Sequence, residues 1–257
     1  MKEILRINKL FFSYSKNIEV LSALNIEIIS KTITAILGKN GCGKSTMLDC
    51  IIGIHNVPQN TIFIQGKEFH TLSQYERSKI IAYVPQNIIT NLDFKVFDFI
   101  LFGRNPHIQF GQKPTQNDYN EVLKCAQICG LTALLDKNIN KISGGERQLA
   151  SITRALVQDT PIIIMDEPMS ALDFGNQAHV LQLILDLQQE GKTIIFTTHN
   201  PNHALTLQCN VAIMENKQII QHGDYKTILN TNTLKKIYGN IIELDNLPHF
   251  HFRLTKK

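Results

Sequence analysis

Apolar residues alternate or run together over residues 4–12 and 18–29, which predicts two strands, with Phe11-Phe12-Ser13-Tyr14-Ser15 joining them. The β-branched, apolar run 32–37 predicts a fully buried strand, and residues 45–53 read as a helix closed by Gly53. Residues 61–69 read as a short strand pair turning at Gly66, and 80–84 as a buried strand stopped by Pro85-Gln86. From about residue 88 to 158 the pattern becomes helical. Helices are expected over 96–102, from near Gln116 to Gly130, and over 146–158, where Leu149, Ile152, Leu156 and Val157 share a side. Gly103-Arg104-Asn105-Pro106-His107 breaks the first of these. Strand character returns at 161–165 and 193–198, with a helix over about 176–190 ending at Gly191. Strands alternating with helices imply a parallel sheet covered on both faces, and the helical block reads as an insertion into it.

One stretch in this pattern carries chemistry. Gly38-Lys39-Asn40-Gly41-Cys42-Gly43-Lys44-Ser45-Thr46 fits G-x-x-x-x-G-K-[ST], and it lies between a predicted strand and a predicted helix. Glycines there allow successive N–H groups to curl around phosphate oxygens, and the helix start adds unpaired N–H groups and the positive end of its dipole. Lys44 is placed to bridge β- and γ-phosphates, and the Ser45 hydroxyl to ligate Mg²⁺. Alone, the motif specifies a nucleoside triphosphate site.

Two further stretches narrow this. The strand 162–165 ends in Asp166-Glu167. A carboxylate at that position, Asp166, can hold Mg²⁺ through water, and its neighbour Glu167 can polarise an attacking water. Ser143-Gly144-Gly145-Glu146 offers a helix cap at Ser143, glycines that admit a close ligand, and N–H groups aimed at an anion.

Composition adds limits. The chain has 257 residues, 43% of them hydrophobic, enough for one large domain or two small ones. A net charge of +4 is no sign of nucleic-acid binding in itself, and no nucleic-acid partner is expected. No apolar run approaches the roughly 18 residues of a membrane span, and the charged N-terminus does not suit a signal peptide. A cytoplasmic location is therefore expected, with any membrane role arising through a partner. The five cysteines are scattered and odd in number, which argues against a disulfide framework.

With these motifs in order, the chain resembles the ATP-binding-cassette (ABC) ATPases over nearly its whole length. Its Ser143-Gly144-Gly145-Glu146-Arg147-Gln148 is similar to the family signature, with Ile142 and Glu146 where Leu and Gln are common. Gln86 matches the glutamine loop, Ser170-Ala171-Leu172-Asp173 the aspartate loop, and His199 the histidine switch. Tyr14 looks like the adenine-stacking aromatic, although an edge-strand aromatic reads the same way.

The resemblance implies an α/β fold, a P-loop NTPase (RecA-like) core with an antiparallel β subdomain and an inserted helical subdomain. The implied division is 1–87 with 159–240 as core and 88–158 as the helical unit, leaving 241–257 as a tail. It further implies a head-to-tail homodimer binding ATP and Mg²⁺ between the 38–46 loop of one copy and Ser143, Gly144, Gly145 and Glu146 of the other. Lys44, Glu167, His199 and Gln86 would be catalytic; Ser45, Gln86 and Asp166 would hold the metal; Asp173 would face its symmetry mate. Gly103-Arg104-Asn105-Pro106-His107 resembles a stretch common in importer ATPases for iron–siderophore, haem and cobalamin, while Asn40-Gly41-Cys42-Gly43-Lys44-Ser45-Thr46, Gly53-Ile54-His55 and Thr198-His199-Asn200-Pro201-Asn202 look like molybdate members. The implied partners are integral-membrane permease subunits and, indirectly, a substrate-binding protein, with the ATPase peripheral on the inner face of the membrane. An iron(III) chelate is the favoured cargo, molybdate, cobalamin or haem the alternative, and a soluble iron–sulfur assembly ATPase the rival class. Phe94, Val96, Phe97 and Phe99 would line a permease groove or else belong to the helical core.

Overall fold

The computed structural model describes residues 2–15, 18–87, 93–109 and 111–239; the 241–257 tail lies outside the described residues. The chain opens with a hairpin, β1 (Glu3–Ser15) and β2 (Ile18–Ile29). It continues through β3 (Ile33–Leu37), α1 (Lys44–Ile52), β4 (Ile62–Ile64), β5 (Lys67–Glu68), α2 (Gln74–Ser78) and β6 (Ile81–Val84). Three helices follow, α3 (Val96–Leu101), α4 (Gln116–Ile128) and α5 (Gly144–Val157). The last part holds β7 (Ile162–Met165), α6 (Phe174–Gln189), β8 (Thr193–Thr198), α7 (Pro201–Leu207), β9 (Asn210–Glu215), β10 (Gln218–Asp224), α8 (Tyr225–Ile228) and α9 (Thr231–Tyr238).

Two sheets result. One is antiparallel, in the order β2-β1-β4-β5. The other runs β10-β9-β3-β8-β7-β6, parallel from β9 to β6 with β10 antiparallel at one edge. Strand alternation divides the interior. Ala35, Leu37, Ile163, Met165, Ile194 and Phe196 face one core, shared with Phe99, Leu149, Ile152, Val180 and Ile184 from the helices. Ile36, Ile162, Ile164 and Ile195 face the other, shared with Met47, Leu48 and Ile51 of α1 and with Leu5, Ile7 and Ile64 of the antiparallel sheet. Burial on both faces explains why β3, β7 and β8 read as continuous apolar runs.

Parallel pairing also aligns strand ends. Leu37 pairs with Thr198, and Met165 pairs with both Val84 and Phe196. The residues that follow, Gly38, His199, Asp166 and Pro85-Gln86, therefore emerge from one edge, where open α/β sheets bind ligands.

Two helix starts need correcting. Helix α5 starts at Gly144 rather than near Glu146, because Glu146 is the third helical residue, accepting from the Ser143 N–H while Ser143 caps its own N–H. Helix α6 starts at Phe174 because Asp173 accepts from Asn176 N–H at 2.8 Å. Val96 and Phe99 are core residues, while Phe94 and Phe97 stay partly exposed. The Gly103-to-His107 stretch is a 3-10 turn with a packing role. Its Arg104 is buried, donating through Nε to Asp118 Oδ1 at 2.9 Å and through Nη1 to Val157 O at 2.7 Å. It thereby ties α4 to the end of α5.

Candidate nucleotide site

The 38–46 loop leaves β3 at buried Gly38. A Cβ there would stand 2.4 Å from Met214 O and 2.7 Å from Cys42 Sγ, so the loop packs on β9 only with glycine. Gly43, the residue before α1, has φ +108°, where a side chain is strained. Helices α2, α4, α5 and α6 begin with side-chain caps, but α1 has none, and its first turn carries no acid. Those N–H groups point from an uncapped helix start, which suits an anion. Lys44 is buried and its Nζ donates to Gly38 O at 2.9 Å and Lys39 O at 3.1 Å, while Ser45 is exposed beside it. Burial pushes the Cys42 thiol above its ordinary value, more than nearby Lys44 lowers it.

The two acids share one hydroxyl. Thr197 Oγ1 donates to Asp166 Oδ1 at 2.5 Å and accepts from Glu167 N–H at 2.8 Å. Glu167 has φ +44°, a left-handed conformation that a carboxylate-bearing residue adopts at a cost of about 1–3 kcal/mol. Its carboxylate meets three segments: Lys44 Nζ at 3.6 Å, Gln86 Nε2 at 3.3 Å and His199 Nδ1 at 3.2 Å. The Gln86 amide nitrogen donates to Glu167 Oε2, and His199 Nδ1 lies against the same oxygen. The Gln86 carbonyl oxygen is then the end left for a cation. With the Ser45 hydroxyl and the Asp166 carboxylate it makes an all-oxygen set, the kind Mg²⁺ takes.

Tyr14 is 57% exposed, and its hydroxyl lies 3.1 Å from Thr46 Oγ1 at the start of α1. Ser143, Gly144 and Asp173 are exposed as well. A Cβ on Gly145 would stand 3.4 Å from Ala171 O, so the start of α5 abuts the 170–173 loop and the two form one continuous surface.

Sequence reasoning missed several residues of this edge. Thr197 is one; its signal was a pair of threonines ending an otherwise apolar strand, just before His199. His203 is another. Burial, with His199 adding a smaller push, takes it down to about 4, so it is neutral. It bonds Thr198 Oγ1 at 2.9 Å through Nδ1, and Thr198 Oγ1 accepts from Asn200 N–H at 3.1 Å, which fixes the turn that carries His199. Glu167, Ser170, His199 and His203 line a cavity of about 110 Å³.

A family profile described as ABC transporter matches residues 21–170. The chain belongs to the ABC transporter family. It is 36% identical over 239 residues to the molybdate import ATP-binding protein MolC of Haemophilus influenzae, covering 93% of this chain and 89% of that protein. It is 31% identical over 242 residues to a probable iron chelatin transport ATP-binding protein of Helicobacter pylori, covering 93% and 94%. Among solved structures it resembles an inward-facing putative metal-chelate type ABC transporter, with TM-score 0.80, 33% identity, and 92% and 89% of the two chains covered. The α/β cassette fold and an ATPase activity coupled to transport follow from this membership. Among the described residues, no helix is long and apolar enough to cross a membrane.

Proposed function

We propose that the chain is the ATPase subunit of an importer for a metal chelate, and that Glu167 is the residue around which hydrolysis is organised. The observation that carries this is the meeting of Lys44, Gln86 and His199 on one buried carboxylate. The phosphates of ATP would lie on the N–H groups of residues 41–46, with Lys44 on the β- and γ-phosphates. Mg²⁺, held by Ser45, Gln86 and Asp166, would neutralise charge on the phosphate oxygens. Glu167 would orient and polarise the attacking water, and His199, carried on the exposed strand end, would contact the γ-phosphate.

The site is completed by a second copy. Exposed Ser143 and Gly144, with half-buried Gly145 and Glu146, would face the partner's nucleotide, and Asp173 its own symmetry mate. The capping box supports this assignment of Glu146. Its carboxylate is held below the ordinary value by the Ser143 N–H and hydroxyl and is folded back on the helix start.

Permease docking would use the partly exposed rings of Phe94, Phe97 and Phe102. Phe94 meets Phe102 edge-on at 5.0 Å, and Phe97 stacks on Tyr119 at 5.9 Å. We read residues 88–158 as the helical unit that presents them, against a core of 1–87 and 159–240. An iron(III) chelate remains the favoured cargo, and the 36% identity to a molybdate import protein supports an oxoanion as the second reading.

The deciding experiment pairs two variants in the assembled transporter. Lys44→Ala should lose nucleotide binding. Ser143→Arg should keep binding and lose hydrolysis, since the bulky cation blocks the dimer seam. Persistent hydrolysis in Ser143→Arg would end the composite-site proposal. Uptake of radioiron chelate against radiomolybdate then separates the two cargoes.

A further inference from the structure

Tyr14 does not stand alone at the mouth of the site. Phe12 lies 5.1 Å from it edge-on, and His55 lies 5.3 Å from it, also edge-on. Phe12 and His55 are themselves stacked at 4.5 Å with planes 19° apart. Two stacked rings thus form a wall, and the Tyr14 ring stands perpendicular to both. The wall is rooted in α1 through residues one turn apart. Thr46 holds the Tyr14 hydroxyl at 3.1 Å. Asp49 lies 3.8 Å from His55 Nε2 and also accepts from the Tyr83 hydroxyl on β6. The main chain reinforces this, with His55 N–H directed to Asp49 O at 3.4 Å.

Among the described residues, His55 Nε2 is buried without a hydrogen-bond partner. Its polar link to α1 is the 3.8 Å contact with Asp49, and the ring otherwise acts through its faces and edges. Edge-to-face contacts orient aromatic planes, because the positive ring edge seeks the negative face. A Tyr14 side chain pinned at its hydroxyl could still pivot about its long axis; the Phe12–His55 wall removes that freedom.

We propose that His55 is a positioning residue for base recognition, setting the plane of Tyr14 so that its exposed face receives the adenine of ATP, an inference that rests on the nucleotide site proposed above. The ligand group concerned is the flat heteroaromatic base and not the phosphates, which lie on the α1 start. His55 touches the nucleotide only through Tyr14.

Two probes separate these roles: the non-hydrolysable β,γ-imido analogue of ATP, and inorganic tripolyphosphate, which lacks a base. Their affinities for the full chain with Mg²⁺ are measured by calorimetry. In His55→Ala the ATP analogue should bind about three- to ten-fold more weakly, the equivalent of one aromatic contact, with tripolyphosphate unchanged. His55→Phe should restore the analogue's affinity, because the ring and its contacts with Phe12 and Tyr14 remain and only the 3.8 Å contact with Asp49 is lost; His55→Asn should not. Adding His55→Ala to Tyr14→Ala should cost nothing further. Equal weakening of both probes, or no weakening of either, overturns the proposal while leaving the nucleotide site intact. A wild-type chain that binds the analogue no tighter than tripolyphosphate overturns the base platform as a whole. A chain that binds neither overturns the nucleotide site itself.

Discussion

Glu167 Oε1 lies 3.6 Å from the Lys44 ammonium, and both side chains are almost entirely buried. The ammonium is shared between this carboxylate and the carbonyls of Gly38 and Lys39. An arriving phosphate competes with Glu167 for Lys44 and is repelled by it. Glu167→Gln removes the competitor and the negative charge together. ATP affinity should rise about three- to ten-fold. Turnover should fall at least about 100-fold, since the proposed general base is removed. Nucleotide titration and phosphate release check both, and wild-type turnover in this variant would clear Glu167 of its role.

Thr197 provides a second test. Its hydroxyl is the shared partner of Asp166 Oδ1 and Glu167 N–H. Thr197→Val preserves shape but strands both groups. Stability should drop by about 1–3 kcal/mol, read from denaturant midpoints. Turnover should fall with ATP affinity little changed, and Thr197→Ser should restore both. Full turnover in the valine variant would show that the acids hold their positions without it.

Gly103 tests the clasp between α3 and α5. A Cβ there would lie 2.1 Å from Arg154 O and 2.6 Å from Val157 Cγ2, and the backbone oxygen cannot yield cheaply. Gly103→Ala should cost about 1–3 kcal/mol in chemical denaturation.

Asp118 predicts an acid limit. Burial alone would raise its pKa, but hydrogen bonds from the Thr115 hydroxyl and N–H and from the Arg104 guanidinium outweigh this and hold it at about 2, against an ordinary 3.8. A carboxyl depressed on folding stabilises the chain above its unfolded pKa and loses that contribution as pH falls through the folded one. The Asp118 contribution should therefore be complete above about pH 4 and decline towards pH 2. Thermal unfolding from pH 6 to pH 2 should show a shallower slope below pH 4 in Asp118→Asn than in the wild type.

The candidate groups of this edge were legible because each motif is local. The phosphate loop needs its glycines, its lysine and its hydroxyl at set offsets, and an apolar strand ending in two acids shows itself in one short stretch. The elements after Thr198 were not assigned. Helix α7 spans only Pro201–Leu207 and α8 only Tyr225–Ile228, lengths at which periodicity says little. Val96 and Phe99 could not be separated from Phe94 and Phe97, because apolar residues in and just before one short helix look alike until the facing helix is known. Arg104 looked like part of a substrate-class motif, and its partner Asp118 is fourteen residues away across a turn.

The sequence by itself determined the candidate groups: the loop, the acids, the capped helix start and the strand-end histidine, each set by chemistry within a few neighbouring residues. Only the tertiary structure decided that Lys44, Gln86 and His199 converge on Glu167, that one threonine serves both acids, and that His55 stands behind Tyr14. Those relationships arise from strand order and register, which bring together residues as far apart as Lys44 and Glu167. No local pattern encodes a pairing over that distance, because it depends on which strands become neighbours when both faces of the sheet are buried.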